Sequence, residues 1–359
     1  MVPDMNTNGG FGPVFCTIVP PHVLDRLAQH EDTALATPAR RTLERDAMER
    51  TRRRLTTVIG APAATAPTAA TGTPQRTVYD AGHQQSLPGT KVRGEGDQPG
   101  EDATVNRAYA GLGATFELYL RAYGRDSVDG KGLPLEASVH FGENYDNAFW
   151  NGEQMVFGDG DGEVFLDFTT PVDVIGHELT HGVTQYTANL AYFGQSGALN
   201  ESMSDVFGSL IKQYTLGQTA AEADWLIGAG LLAPRVHGKA LRSMKEPGSA
   251  YDDPALGKDP QPGTMAGYVR TGQDNGGVHI NSGIPNHAFY LVATELGGRA
   301  WERAGQIWYD VLTGGELDSQ ATFADFARLT VAAALSRYHE GAEQEAVLKA
   351  WEQVGVRTS

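Results

Sequence analysis

The stretch "GAPAATAPTAATGTPQ", residues 60–75, contains no aromatic and no charged side chain. Alanine, threonine, proline and glycine in that mixture can neither build a core nor sustain a helix, so the stretch reads as a mobile linker. It divides the 359-residue chain into a short N-terminal segment, residues 1–59, and a body from residue 76 onward that must hold the core. With 40% hydrophobic and 20% charged residues, the chain has the composition of an ordinary globular protein of about two domains. Its net charge of -16 argues against nucleic-acid and anionic-membrane partners, which reward clustered positive charge. No apolar run approaches membrane-spanning length.

The N-terminal segment has the opposite electrostatic character. "PPHVLDRLAQHED" predicts a short helix opened by proline, and "PARRTLERDAMERTRRRL" predicts a second, with seven arginines against three acids. A basic segment on an acidic body can be a solvated helix pair, a nucleic-acid arm or an intramolecular partner of that body; the charge balance fits the last best. "MVPDMNTNGGFGPVFCTIVPP" lacks the charged start and long apolar stretch of a secretory signal, which predicts cytoplasmic synthesis and leaves non-classical secretion open. Cys16 is the single cysteine, so no disulfide forms within the chain.

After the linker, Val105, Ala108, Tyr109, Leu112, Phe116 and Tyr119 fall on one helical stripe. "EASVHFG", "QMVFGDG" and "EVFLDF" are short, β-rich and punctuated by glycine and aspartate, which predicts strands beside that helix. "GDGDGE" lacks the later ligands of an EF-hand loop and reads as a tight turn. From Asp173 onward the periods are helical, with stripes at Ala304, Ile307, Trp308, Val311 and at Val347, Ala350, Trp351, Val354, which predicts an all-α C-terminal half.

Chemistry concentrates in "DVIGHELTHGVTQYT". His177 and His181 stand four residues apart, on one face of a helix and near enough to share an ion. The pattern H-E-x-x-H alone leaves a zinc site and a wet polar helix face both open. Glu201, in "NESMSD" on a second predicted helix, is the candidate third ligand, because nineteen residues after His181 give room for a turn and an antiparallel return. Asp205 lies one turn beyond Glu201 and can accept from the far nitrogen of a ligating histidine, and Asn200 can do the same for the other. Thr184 and Thr187 occupy the glycine and third-histidine positions of the metzincin pattern, which excludes that class. His279, in "DNGGVHINSG" with Asp274 five residues earlier, is either a structural histidine of a glycine loop or an oxyanion donor.

Taken together, "DNAFWNGEQMVFGDGDG", "DVIGHELTHGVTQYTANLAYFGQSGALNESMSD", "ALRSM" and "DNGGVHINSGIPNHAFY" resemble, in order and spacing, the motifs of thermolysin-like metallopeptidases. "VPPHVLDRLA" resembles the short propeptide of the protealysin subgroup. The resemblance implies an α+β fold: a mixed α/β domain over residues 76–190, a helical domain over 191–359, and zinc in the cleft between them, preceded by a helical propeptide. It implies one zinc ion on His177, His181 and Glu201, Glu178 as general base, and Tyr192 and His279 as oxyanion donors with Asp274 orienting His279. Asn147 and the backbone of Ala148 would hold the substrate main chain, and Arg242 a substrate carbonyl. Phe165, Phe168, Val174, Ile227 and Leu241 would line the pocket for the residue after the cut, an apolar slot for bulky hydrophobic side chains.

In the secreted members of that family, calcium is held near the zinc helices by clustered acids. Here Asp173 persists, but Lys212, Leu226, Ala229 and Lys239 stand at the matching ligand positions, so calcium-independent folding is expected, with Lys212 pairing with Asp173 instead. Cys16 can in principle reach an open zinc position as a thiolate, but a lone thiol reads more simply as a free or partly buried cysteine, since ligation also needs the peptide to reach the metal. The expected partners are a peptide or protein substrate and the chain's own propeptide in cis, with room for a protein inhibitor. Self-cleavage is expected at the arginine-rich helix end or in the linker, before Leu55, Val58 or Ile59. The competing reading is a non-hydrolytic zinc and peptide-binding module whose N-terminal segment never leaves.

Overall fold

The computed structural model describes residues 16–59 and 72–358. The N-terminal segment forms α1 (Pro21–Ala28) and α2 (Thr33–Ile59), which pack on each other. Proline at the first position of α1 costs no hydrogen bond, and Val23, Leu24 and Leu27 bury one face. Residues 60–71 of the expected linker lie outside the described residues, while α2 stays helical through Ile59, across the expected cleavage positions.

The body begins with β1 (Arg76–Asp80), β2 (Thr90–Arg93), α3 (Ala103–Tyr123), β3 (Leu135–Val139), β4 (Ala148–Trp150) and β5 (Met155–Phe157). The strands make one mixed sheet in the order β2-β1-β3-β5-β4, with β1, β3 and β5 parallel and β2 and β4 antiparallel at the two edges. Asp102 caps α3 through the amides of Thr104 and Val105, Gly124 ends it in the left-handed conformation, and the whole predicted stripe from Val105 to Tyr119 is buried. "EVFLDF" is not a strand: Phe165 makes one isolated bridge to Leu232, and Asp161 Oδ1 gathers the amides of Glu163, Val164 and Phe165 into a tight turn instead.

Beyond the sheet come α4 (Val172–Gln185) and α5 (Gly194–Leu216), then the two-residue strands β6 (Leu226–Ile227), β7 (Arg242–Ser243), β8 (Asp252–Asp253) and β9 (Gly257–Lys258). The chain closes with α6 (Asp274–Asn281), α7 (Gly283–Leu296), α8 (Ala304–Thr313), α9 (Phe323–Tyr338) and α10 (Ala342–Gln353). The all-α expectation for this half therefore needs correcting, because two small antiparallel ladders, β6-β7 and β8-β9, interrupt the helices. Those segments are too short to show any period in the sequence. The predicted stripes of α8 and α10 meet in the core, where Trp308 and Trp351 stack with ring centroids 6.2 Å apart. Among the described residues, no helix is long and apolar enough to cross a membrane.

The N-terminal segment docks on the body through specific polar contacts more than through bulk charge. The buried Asp46 carboxylate accepts from Tyr145 Oη and Asn147 Nδ2, Thr42 Oγ1 accepts from the Asp146 amide, and Arg45 donates to the side chain and carbonyl of Gln85. Burial pushes the Asp46 carboxyl up to about 7, opposed by those two hydrogen bonds.

Candidate active site

α4 carries His177, Glu178 and His181; α5 carries Asn200, Glu201 and Asp205. Two glycines allow the helices to approach as closely as they do. A Cβ on Gly176 would stand 2.6 Å from Ile211 Cδ1, and one on Gly208 would stand 2.6 Å from the Asp173 carbonyl oxygen. The first can be relieved only by turning Ile211 aside, with the Gly208 Cα next at 3.2 Å, and the second meets backbone that cannot give way.

The Nε2 atoms of His177 and His181 face each other at 3.1 Å, and stand 3.6 and 3.5 Å from the oxygens of Glu201. Ligand atoms about 2.0–2.1 Å from a tetrahedral zinc lie roughly 3.3 Å apart, so the three residues have the right spacing. Both Nδ1 atoms are occupied: His177 donates to Asp205 Oδ1 at 2.8 Å and His181 to Asn200 Oδ1 at 2.8 Å. Asn200 Nδ2 donates to the Leu190 carbonyl, which fixes the amide with its oxygen toward the histidine. The imidazole lone pairs therefore point inward. Glu201 Oε2 is buried and has no hydrogen-bond partner. Two converging lone pairs and an unpartnered buried carboxylate oxygen are a donor set suited to a divalent cation.

Asp205 is a shared anchor. It accepts from His177, from Arg242 Nε and Nη2 at 2.8 Å each, and from Asn286 Nδ2 at 2.8 Å. Burial works against its charge, but Arg242 and then His177 hold the carboxyl well below the ordinary range. Glu178 Oε2 accepts from the Trp150 amide at 3.1 Å, which aims the carboxylate along the cleft floor. Asn275, Gly276 and Gly277 run through left-handed φ values of 48°, 86° and 78°, and this turn folds Asp274 back over His279. Asp274 accepts from His279 Nδ1 at 2.6 Å and from its amide at 2.9 Å. Burial disfavours the imidazolium, but Asp274 and then Glu201 raise His279 to about 9. Tyr192 Oη lies 2.5 Å from Glu201 Oε1 and 3.3 Å from His279 Nε2.

The N-terminal segment runs through this cleft. The Ile18 amide donates to the Ala148 carbonyl at 3.2 Å, its carbonyl accepts from Arg242 Nη1 at 3.1 Å, and the Val19 amide donates to Asn147 Oδ1 at 3.0 Å. The Thr17 carbonyl accepts from His279 Nε2 at 3.2 Å. Ile18 is fully buried in the main hydrophobic core, which also contains Phe165, Phe168, Val174, Ile227 and Leu241. Cys16 Sγ lies 2.8 Å from Glu201 Oε1 and 2.7 Å from Tyr192 Oη. The sequence reading names every one of these body residues, but it misses Trp150, Asn286, Gly176, Gly208 and the Asp46–Asn147 bond, and it reads Cys16 as a free or partly buried cysteine, not as one that reaches Glu201 and Tyr192. Isolated glycines inside strongly helical patterns were the available signal for the helix contact.

The pairing of Lys212 with Asp173 is present at 3.1 Å, and the ammonium also meets Asp224 at 2.8 and 2.9 Å and the Leu226 carbonyl at 3.3 Å. Burial opposes its charge, but Asp173 and then Asp224 hold Lys212 above its ordinary value.

A cleft between a mixed sheet domain and a helical domain, floored by an H-E-x-x-H helix with a glutamate from the next helix, defines a metallopeptidase centre. Residues 65–185 match the catalytic domain of thermolysin metallopeptidases and residues 188–356 match their alpha-helical domain. The chain is 56% identical over 285 residues to an extracellular metalloprotease of Pectobacterium carotovorum subsp. carotovorum, covering 79% of this chain and 82% of that protein. It is 54% identical over 284 residues to protease PrtS of Photorhabdus sp. (strain Az29), covering 79% and 76%. Among solved structures, the precursor of protealysin, a metalloproteinase from Serratia proteamaculans, superimposes with a TM-score of 0.87 at 51% identity, over 95% of this chain and all of that one. The chain belongs to the thermolysin metallopeptidase family. It is a zinc-dependent endopeptidase made as a precursor with its own propeptide, and the reading as a non-hydrolytic binding module is not favoured.

Proposed function

We propose that this chain is the latent form of the endopeptidase, in which residues 16–19 occupy the substrate cleft in the sense of a substrate. The observation that carries this reading is the set of backbone bonds from Thr17, Ile18 and Val19 to His279, Ala148, Arg242 and Asn147. Ile18 stands for the residue after the cut and Thr17 for the residue before it. A fully buried β-branched aliphatic side chain at this position, in the same hydrophobic core as Phe165, Phe168, Val174, Ile227 and Leu241, supports cleavage on the amino side of bulky hydrophobic residues.

His177, His181 and Glu201 would hold zinc, which when bound supplies Lewis acidity and a water acidified toward neutral pH. Glu178 takes the proton of the attacking water and passes it to the leaving nitrogen. His279 and Tyr192 donate to the oxygen on which negative charge develops, and Asp274 keeps the His279 ring turned toward it. Asn147, Ala148 and Arg242 align the chain on the far side of the cut, which holds the scissile carbonyl against Glu178 instead of leaving it to diffuse. Asp205 and Asn200 fix the ligand histidines. The Lys212 ammonium among Asp173, Asp224 and the Leu226 carbonyl supplies a positive charge in a pocket of oxygens, so calcium is not required there.

The test compares metal content and intact mass of wild type and Glu178→Ala. Both are expected to hold one zinc, with only wild type converting to a fragment that starts near the linker and cleaving a blocked peptide with leucine after the scissile bond. Zinc-loaded wild type that neither matures nor cleaves the peptide would overturn this reading.

A further inference from the structure

We propose that Cys16 is the fourth zinc ligand of the precursor, so that a metal–sulfur bond and not a water closes the site until the N-terminal segment leaves. The inference rests on the latent-peptidase reading and goes beyond it, because steric filling of the cleft by residues 17–19 needs no thiol.

Cys16 Sγ and one ligand atom each from His177, His181 and Glu201 all lie within 4.8 Å of one another, and all four residues are buried. The requirement that made ligation doubtful for a lone cysteine, that the peptide must reach the metal, is met by the backbone. Thr17, Ile18 and Val19 are each pinned by a hydrogen bond to the cleft, and these bonds fix where residue 16 can point. Independently of the cysteine, Glu201 Oε2 is fully buried, lacks a hydrogen-bond partner, and lies 3.6 Å from His177 Nε2 and 3.5 Å from His279 Nε2.

Burial and Glu201 raise the Cys16 thiol, so it takes a bound divalent ion to tip the balance toward the thiolate. Two neutral imidazoles, one carboxylate and one thiolate around a divalent ion sum to zero, whereas a water in the fourth position leaves a net positive centre in a fully buried site. Tyr192 Oη at 2.7 Å and His279 Nε2 at 3.7 Å stand beside the sulfur as donors that lower the cost of its negative charge. The same two donors are the oxyanion donors of the proposed reaction, so ligation occupies the machinery for charge stabilisation as well as the open coordination position. A zinc site with four protein ligands is structural, and one with three and an open position is catalytic. On closure the Cys16 S–H bond breaks, its proton passes to solvent, a metal–sulfur bond forms and the bound water leaves. Departure of the segment reverses each of these changes, and no oxidant or reductant takes part.

Cobalt(II) reports on this directly, because a thiolate ligand adds a charge-transfer absorption that nitrogen and oxygen ligands lack. The full-length Glu178→Ala precursor, which cannot cut itself, and the Glu178→Ala, Cys16→Ser double variant are loaded with one equivalent of cobalt. The band is expected in the first and absent in the second, with cobalt bound by both. Alkylation of Cys16 by iodoacetamide is expected to slow at least tenfold when metal is added to the first protein. A precursor that binds cobalt stoichiometrically without the band, or whose alkylation rate ignores the metal, overturns the thiolate latch and leaves the peptidase reading intact. Failure of both proteins to bind cobalt overturns the metal site itself, and the latch with it.

Discussion

Two titratable side chains of the N-terminal segment give its docking a pH dependence that should be invisible until one of them is removed. Asp46 is buried on Tyr145 and Asn147, with Glu49 and Arg50 nearby, and its carboxyl rises from 3.8 to about 7. His22 is largely buried against Tyr251 Oη, within reach of the charges of Asp274, His279 and Arg242, and burial lowers it from 6.5 to about 4. A group raised on docking stabilises the docked state fully below its free value and loses that contribution as pH climbs through its docked value. Asp46 therefore favours docking below pH 3.8 and ceases to do so as pH passes about 7. His22 has the opposite sign: its contribution is present above pH 6.5 and is lost as pH falls through about 4. At about 1.4 kcal/mol per pH unit, the two are worth roughly 4 and 3 kcal/mol in opposite directions, so the intact precursor should dock with nearly constant strength between pH 4 and 6.5. Hydrogen exchange of the α1 and α2 amides, corrected for intrinsic rates and measured in the uncut Glu178→Ala precursor, reads the opening free energy. Adding Asp46→Asn should make that free energy rise with pH by up to about 3 kcal/mol, and adding His22→Gln should make it fall by a similar amount. If both variants follow the parent profile, burial of these two groups does not govern docking; if the slopes are exchanged, the assignment of protonation states is wrong.

Other outcomes follow from single contacts. Glu178→Ala, freed of its N-terminal segment in trans by wild-type enzyme, should retain one zinc and lose roughly 10²–10⁴-fold in turnover of a blocked peptide. Lys212→Met leaves the fully buried Asp173 without its ammonium and should cost about 3–5 kcal/mol in urea unfolding, while a calcium-selective chelator leaves the melting temperature of wild type unchanged. Gly208→Ala drives a methyl group to 2.6 Å from the Asp173 carbonyl, should cost about 1–3 kcal/mol, and should weaken zinc binding because α4 must move away from Glu201. A variant that keeps wild-type zinc affinity would show that the helix spacing does not set the ligand geometry.

What the sequence made legible and what it hid differ in range. The stripe from Val105 to Tyr119, the spacing from His177 to His181 and the partner positions Glu201 and Asp205 are local periodicities, and the helices realise them directly. Lys212 pairs with Asp173 because both lie on helices whose turns can be counted. "EVFLDF" has strand composition but lacks a neighbouring strand, and Asp161 draws its amides into a turn. The docking of α2 reads as a matter of basic charge in the sequence, yet an acid, Asp46, carries its buried contact with the cleft. Cys16 and Glu201 are 185 residues apart, and no pattern within either segment encodes their meeting. Gly176 and Gly208 matter only through the contact they permit, which needs both helices in place.

β4 lies at the edge of the five-stranded sheet, and its first carbonyl, that of Ala148, is held by Ile18. A bare strand edge is a template for any extended chain, including another copy of the same protein as it leaves the ribosome. While residues 16–19 remain in place, Ile18 takes up the Ala148 carbonyl of that edge. Once the segment has gone, the Ala148 carbonyl is free to accept the amide of another extended chain as it now accepts that of Ile18.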